Sequence, residues 1–372
     1  MSDNKNLRKA RKEKNDEFYT QYADIEKEIN AYLDYNPDVF RDKTILLPCD
    51  DPEWSNFTKF FAQNFQRLCL KKLISTSYAF DSKKRRCNYQ PTLFEKESPN
   101  FDEIKSSKNG KIFILERNND KNVRVNLSDI TWKYLKGDGD FRSEEVKNLR
   151  DEADFIITNP PFSLFIDFFD WILEAKKQFL IIGSENNISY KNIFPLMKDN
   201  KIWLGTSLPQ LFVVPDYIEG KNVKIIDGIR YQKHGNTCWF TNIDHGRRHE
   251  KSSFMSKEEN LKYSKHRNHE KWYCVYEKYD NYNAIRVPFF DSIPSDCMEI
   301  MAVPISFFEK YCPDQFVILG ITDRGNEWGI KTKEYTKKDA LNYSDLNRRS
   351  VVILNGKYKS QFTEILIKFK GV

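Results

Sequence analysis

The 372-residue chain has no apolar run long enough to cross a membrane and no apolar signal core at its N-terminus. Both absences argue against a membrane protein and predict a soluble, cytoplasmic one. Neither GxGxxG nor GxxxxGK[ST] occurs, so a nicotinamide or nucleotide-triphosphate enzyme would lack its phosphate cradle. Cysteines stand at 49, 69, 87, 238, 274, 297 and 312 with no CxxC pair, which predicts reduced, structural thiols. Internal repeats and low-complexity segments are missing. With 31% charged and 40% hydrophobic residues, the chain should be globular, with one main domain and a smaller appended one. A net charge of +6 points toward a polyanionic partner.

What is present is concentrated in Asp154-Phe-Ile-Ile-Thr-Asn-Pro-Pro-Phe-Ser163. Phe155 to Thr158 reads as a buried strand, and the two prolines that follow cannot continue a ladder. The chain must leave the sheet as a stiff loop at the strand's carboxyl end, where open α/β sheets bind ligands. That loop offers the Asn159 amide, the Pro160 carbonyl and the Phe162 ring. Together these suit a planar substrate with an exocyclic amino group: two acceptors for its hydrogens and a ring to stack on. A plain proline turn with Phe162 in the core is the competing reading.

Around this loop the pattern is strand–helix–strand. Helices are predicted over Ile25–Tyr35, Trp54–Phe65, Ser143–Leu149 (with a Ser cap) and Leu164–Lys177. Strands are predicted over Thr44–Pro48, Leu70–Ser77, Lys111–Leu115, Phe155–Thr158, Phe179–Gly183, Lys201–Gly205 and Thr237–Ile243, with a hairpin around Asn118-Asn119-Asp120. Buried strands with helical crossovers mean a parallel sheet. After about 245 the pattern loosens into short β-like runs, Cys274–Tyr276, Phe316–Ile321 and Val351–Leu354, read as a separate region. Residues 1–14 read as a flexible basic arm, and Lys83–Arg86 as a basic cluster outside the sheet.

Carboxylates gather near the predicted strand ends. Asp50 and Asp51 follow the first strand, while Asp138 and Asp140 lie in a glycine-rich loop ahead of the Asn-Pro-Pro-Phe strand. Such groups accept hydrogen bonds from ribose hydroxyls or an adenine amine. Each alone also suits a turn or cap. His245-x3-His249 and His266-x2-His269 raise zinc. The interleaved Arg247, Arg248, Lys251, Lys265, Arg267 and Lys271 fit a phosphate-facing surface better, so no metal is expected. A solvated charge run is the alternative.

The order of these segments resembles a known family. Asn159-Pro160-Pro161-Phe162 is similar to motif IV of the DNA adenine-N6 methyltransferases, and Asp16-Glu17-Phe18-Tyr19-Thr20-Gln21-Tyr22 looks like their motif X. With Cys49-Asp50-Asp51-Pro52, Ser55-Asn56-Phe57 and Leu70-Lys71-Lys72-Leu73-Ile74, the chain resembles the EcoRI-type modification methylases. The resemblance is close over the first 80 residues and 154–190, and weakest after 245. It implies a Rossmann-like α/β sheet with helices on both faces, using S-adenosylmethionine, over 15–244, and a target-recognition region over 245–372. Asn159 and Pro160 would accept from the target N6 amine, with Phe162 stacking on the flipped adenine. Trp239-Phe240 would stack from the other side. Phe18, Tyr19, Thr20, Cys49, Asp50, Asp51, Asp140, Phe141 and Asn159 would hold the cofactor, with Asp138 competing for the role of Asp140. Arg247, Arg248, Lys265 and Arg267 would contact DNA. Motif I lacks its usual glycines, and Ser75-Thr76-Ser77 supplies no acid for the ribose.

The implied activity is sequence-specific adenine-N6 methylation of duplex DNA, as in restriction–modification, with GAATTC a candidate site. A cognate endonuclease would be a partner at the same sequence. The same loop acting on an RNA base or a protein glutamine is a second reading, and an inactive DNA-binding module a third.

Overall fold

The computed structural model describes residues 19–52, 55–79, 100–117, 132–214, 222–323 and 331–371. The basic arm at 1–14, Phe18, Trp54, the Lys83–Arg86 cluster and the Asn118-Asn119-Asp120 hairpin lie outside them. The chain divides into two compact units, Met1–Ser184 with Gly205–Asp244, and Glu185–Leu204 with His245–Val372.

In the first unit the strands are β1 (Thr44–Leu47), β2 (Lys72–Thr76), β3 (Lys111–Glu116), β4 (Trp132–Tyr134), β5 (Phe155–Thr158) and β6 (Gln178–Ser184). β7 (Trp203–Leu204) belongs to the second unit. β8 (Leu211–Val213), β9 (Val223–Ile226), β10 (Ile229–Lys233) and β11 (Thr237–Thr241) return to the first. The main sheet runs β4-β3-β2-β1-β5-β6-β11 across this unit. β2, β1, β5 and β6 are parallel, in registers such as Leu46↔Ile74, Leu46↔Ile156 and Ile156↔Phe179. Every residue of β1 and β5 is buried, as strands covered on both faces require.

The sheet is mixed, which corrects the expectation of a purely parallel one. β3 and β4 are antiparallel on one side, and β11 is antiparallel to β6 on the other. The reversal at β11 has a simple cause. Thr237, where β11 starts, pairs with Ser184, where β6 ends. The chain re-enters the sheet at the edge it left and can only run back.

Alternation decides what each face meets. Ile45, Leu47, Phe155, Ile157, Leu180, Ile182 and Trp239 share one core with Ile25 and Ile29 of helix Tyr22–Tyr35 and Phe57, Phe60 and Phe61 of helix Asn56–Gln63. The other face meets helix Phe165–Glu174: Phe165 packs on Phe240 at 5.3 Å between ring centres, Phe169 on Phe179 at 5.6 Å. Each such side chain contributes about 1.5–3 kcal/mol on burial. β8, β10 and β9 form a separate three-stranded antiparallel sheet, inserted where β6 ends and β11 begins.

The second unit holds a four-stranded sheet of β12 (Ile285–Arg286), β13 (Met301–Pro304), β14 (Phe316–Ile321) and β17 (Glu364–Phe369), and the hairpin β15 (Val351–Leu354) with β16 (Lys357–Ser360). Cys274–Tyr276 is not a strand; the chain there leaves a 3-10 turn, Glu270–Cys274. Residues 185–204 pack with this unit rather than with 15–184. Within it, His245 Nε2 meets the Leu204 carbonyl at 2.9 Å, and the Arg248 guanidinium lies 3.5 Å over the Trp203 ring. Among the described residues no helix is long and apolar enough to cross a membrane.

Glu28 shows how helix Tyr22–Tyr35 is fixed. Its carboxylate is fully buried and accepts from Thr206 N (2.8 Å), Thr206 Oγ1 (2.9 Å), Ser207 N (2.7 Å) and Ser207 Oγ (2.7 Å). Burial raises its pKa, against the Ser207 hydroxyl, the Thr206 amide and hydroxyl and the Tyr32 hydroxyl, which pull it down. A Cβ on Gly205 would collide with Glu28 and Trp239, so glycine alone fits there. Glu28→Ala strands two donors of buried Ser207 and two of half-buried Thr206, each costing ~1–3 kcal/mol unless water reaches it. Urea unfolding should show a loss of at least ~2 kcal/mol; unchanged stability would show that the network carries no weight.

Candidate active site

The loop after β5 is built from the strand outward. Thr158, fully buried, donates from Oγ1 to Asp50 Oδ2 at 2.6 Å. Ser55 Oγ donates to Asp50 Oδ1 at 2.6 Å and accepts from the Phe57 and Thr58 amides, capping helix Asn56–Gln63. Ser75 Oγ donates to the Asp50 carbonyl at 2.5 Å and shares a 2.7 Å bond with Thr58 Oγ1. One buried carboxylate thus joins the carboxyl ends of β1 and β5 to a helix start. Burial pushes the Asp50 carboxyl up to about 7, against the Ser55 and Thr158 hydroxyls that pull it down, with Asp51 adding to the rise.

Asn159 follows immediately. Its Nδ2 donates to Thr20 Oγ1 at 3.3 Å, and Asn56 Nδ2 donates to the Thr20 carbonyl at 2.8 Å. Tyr19 exchanges backbone bonds with Val213 of β8 at 2.9 and 3.0 Å, and Gln21 Nε2 donates to the Leu211 carbonyl at 2.9 Å. The N-terminal Tyr19-Thr20 segment is therefore laid across the Asn159 loop and the segment after β1. Phe162 is partly buried and held edge-on by Phe212 at 6.4 Å and His234 at 5.8 Å. Burial lowers the His234 pKa and keeps its ring neutral.

The glycine-rich loop reaches the same edge of the sheet. Ala79 N donates to the Asp138 carbonyl at 2.6 Å, and Gly110 N to the Gly137 carbonyl at 3.0 Å. A Cβ on Gly110 or Gly139 would strike the Ser77 carbonyl, and Gly139 has φ +80°, so glycine is required at both. Asp138 Oδ1 accepts from the Asp140 amide at 3.1 Å, and Asp140 holds Arg142 through both oxygens at 2.9 and 2.7 Å. Asp51 lies 3.8 Å from the nearly buried Lys111 ammonium, which sits 4.6 Å over Trp132. Cys49 is half-buried in the turn after β1 and forms no disulfide.

Tyr19, Thr20, Cys49, Asp51, Asp138, Asp140, Asn159, Pro160 and Phe162 thus gather along one edge. Other expectations need correction. Asp50 belongs to the internal network, where two hydroxyls occupy its carboxylate. Phe141 is buried against Phe168 and Trp171. Trp239 and Phe240 are fully buried, in the core with Phe57 and against Phe165, and present no face to a base in this arrangement. Thr158, Ser55, Phe212 and His234 were not singled out as site residues. Only Ser55 had a local signal, as an N-cap before Asn-Phe-Thr.

In the second unit, Arg248 is buried, stacked on Trp203 and bonded to Asn200 Oδ1 at 2.6 Å, so it is not a phosphate contact. Lys265 and Arg267 are exposed. Lys265 pairs with Asp291 at 2.7 Å, and Arg267 Nη1 donates to the Lys262 carbonyl at 3.0 Å. Arg247 is half-buried in the turn Gly246–His249. His266 stacks on Phe289 at 3.9 Å and bonds Asp291. No group of side chains among the described residues is set to hold a metal ion.

Comparisons with known proteins converge. Residues 6–370 match the family described as Adenine-specific methyltransferase EcoRI. The chain is 39% identical to the type II methyltransferase M.EcoRI of Escherichia coli over 322 residues, 85% of this chain and 89% of that protein. It is 32% identical to M.MgeORF184P of Mycoplasma genitalium over 371 residues, 97% of each, and 31% identical to M.MpnI of Mycoplasma pneumoniae over 318 residues, 84% of each. No solved structure matches.

The Asp50 network sets a pH dependence. Its folded pKa of about 7 lies above the unfolded value of 3.8, so folding favours the protonated form. This contribution is most favourable below pH 4, falls as pH rises toward 7 and is flat beyond, by up to ~4 kcal/mol. Asp50→Asn removes the titration. The stability difference between Asp50→Asn and wild type should therefore shift in favour of the variant across pH 4–7. A difference constant with pH would rule out the raised carboxyl.

Proposed function

The chain belongs to the EcoRI family of adenine-specific methyltransferases, and from that premise we propose how its own residues carry the reaction. It is a sequence-specific DNA methyltransferase acting on adenine, and methyltransferases of this kind use S-adenosylmethionine. In our reading the first unit is a Rossmann-like catalytic domain and the second recognises the target.

The observation that carries the site assignment is the meeting at Thr20: Asn159 on its hydroxyl, Asn56 on its carbonyl. With Nδ2 directed to Thr20, the amide of Asn159 presents Oδ1 as the acceptor. Asn159 Oδ1 and the Pro160 carbonyl take the two hydrogens of the target N6 amine. This draws its lone pair out of the ring and toward the methyl group. No base is needed before attack, because the proton leaves after the nitrogen becomes cationic. Phe162, held edge-on by Phe212 and His234, stacks on the flipped adenine. Such stacking supplies ~1–3 kcal/mol per base against the few kcal/mol that flipping costs.

The edge fits the cofactor by its chemistry. Gly110 and Gly139 let the loop close on the Ser77 backbone, and Asp140, with Asp138 beside it, offers carboxylate oxygens to an adenine amine. Tyr19, Thr20 and Asp51 offer hydroxyl and carboxylate groups toward a ribose and an amino acid end. When bound, S-adenosylmethionine supplies a methyl group already activated as a sulfonium. The protein's task is alignment, which carries most of the rate. A cognate endonuclease cutting the sequence that this enzyme protects, without a stable complex between the two, fits a type II modification role.

Asn159→Ala should reduce methylation at least ~10²-fold while cofactor and DNA affinity stay within a few-fold, because the lost group acts on the reacting amine. Near-normal turnover measured with tritiated cofactor would sink the assignment. Charge reversal at exposed Lys265 and Arg267 should weaken every duplex alike and flatten the salt dependence of binding. Unaltered DNA affinity in both would place the phosphate contacts elsewhere.

A further inference from the structure

The β9–β10 hairpin ends in bare apolar surface. Ile225, Ile226 and Ile229 are 64%, 45% and 47% exposed around the tight turn Asp227-Gly228. Both turn residues have positive φ, +50° and +77°, the pairing that closes a two-residue hairpin without splaying its strands. Among the described residues nothing covers the turn: a Cβ at Gly228 would meet no atom within 4 Å.

Register shows how the isoleucines are disposed. Ile226 faces Ile229 across the ladder, while Ile225 faces Arg230 on the opposite side. The tip therefore carries isoleucine on both faces, one face apolar throughout and the other with Arg230 beside Ile225. A hairpin that lies on a flat protein surface needs an apolar side chain on one face only. An element with isoleucine on both faces suits a slot with two apolar walls, its arginine left for the rim. Arg230 sits beside Ile225, Lys224 and Lys233 are exposed along the stem, and Asp227 is the one acid of the hairpin, a balance that fits a polyanion.

The stem is anchored to the catalytic loop. β10 pairs with β8, Gln232 opposite Phe212 and Tyr231 opposite Val213. Phe212 touches Phe162 edge-on, and Val213 bonds Tyr19. From Gln232 to Asp227 is a span of ~17 Å at ~3.4 Å per residue. That exceeds the ~8 Å depth of either DNA groove, and a two-stranded ribbon fits the ~12 Å width of the major groove.

We propose that the β9–β10 tip, through Ile225, Ile226 and Ile229, is a wedge that enters the DNA base stack beside the target adenine and fills the gap left when that base is flipped. This rests on the methyltransferase reading and adds a DNA contact in the first unit, outside the region after 245. Two base faces form the apolar slot, and Arg230 at the tip with Lys224 and Lys233 along the stem meet the phosphates. Inserted apolar side chains offset part of the unstacking cost and hold the duplex open.

The test uses the full chain with Ile225, Ile226 and Ile229 all changed to alanine. These side chains are exposed, so folding should survive, and cofactor affinity checks it. Two duplexes are compared, one with the target adenine paired and one with it mismatched, since a mismatched base flips at less cost. We expect methylation of the paired duplex to fall at least ~10-fold and that of the mismatched duplex less than ~3-fold. The fluorescence rise of 2-aminopurine at the target position should fall in parallel. Equal losses on both duplexes, or no loss on either, would overturn the wedge. So would a wild-type dimer that becomes monomeric in the variant, because a second copy would then be what covers the tip. If the wild-type chain methylates neither duplex, the methyltransferase reading itself fails, before any variant is compared.

Discussion

A single buried carboxylate sets the geometry on which the rest depends. Asp50 ends β1 and takes hydrogen bonds from Thr158 at the end of β5 and Ser55 at the start of a helix. Parallel strands from distant parts of a chain need something to hold their ends level, and hydroxyl-to-carboxylate bonds of 2.6 Å are among the stronger ones available. The residue after Thr158 is Asn159. A shift of Thr158 is therefore a shift of the amide that we propose meets the substrate amine. The cost is a carboxyl held in low dielectric, visible as its raised pKa.

The remaining parts extend that anchor. Thr20 ties the N-terminal segment to Asn159 and Asn56, and Tyr19 ties it to β8. β8 in turn braces Phe162 through Phe212 and carries the hairpin β9–β10. Phe162, Asn159 and the exposed tip thus share one continuous set of contacts within the first unit. Glu28 supports the same unit from inside by fixing helix Tyr22–Tyr35 to the 206–207 segment.

Much of this was legible in the sequence where the signal is local. Apolar runs at Thr44–Leu47 and Phe155–Thr158 read as strands buried on both faces, and two prolines after Asn159 marked where the sheet must stop. What was not legible depends on partners far away in sequence. Asp50 looked like a ligand-facing acid, because nothing in its neighbourhood announces Thr158, 108 residues on. Trp239 and Phe240 sit on a strand buried throughout, so alternation gave no open face to either. Arg248 reads as a surface charge until Trp203 and Asn200 cover it. The β9–β10 hairpin is the opposite case: Asp227-Gly228 between isoleucines is a local turn signal that was there to be read.

In our proposal the Thr158–Asp50–Ser55 bridge holds Asn159 where transfer occurs. Thr158→Val keeps the side chain's shape and removes one hydroxyl from that bridge. Single-turnover methyl transfer on a cognate duplex, at saturating cofactor and DNA, measures the consequence directly. A misplacement near 1 Å can cost ~10²-fold in rate, so the transfer step should slow ~10–100-fold while both dissociation constants stay within ~3-fold. A wild-type transfer rate, or a loss confined to binding, would contradict the claim.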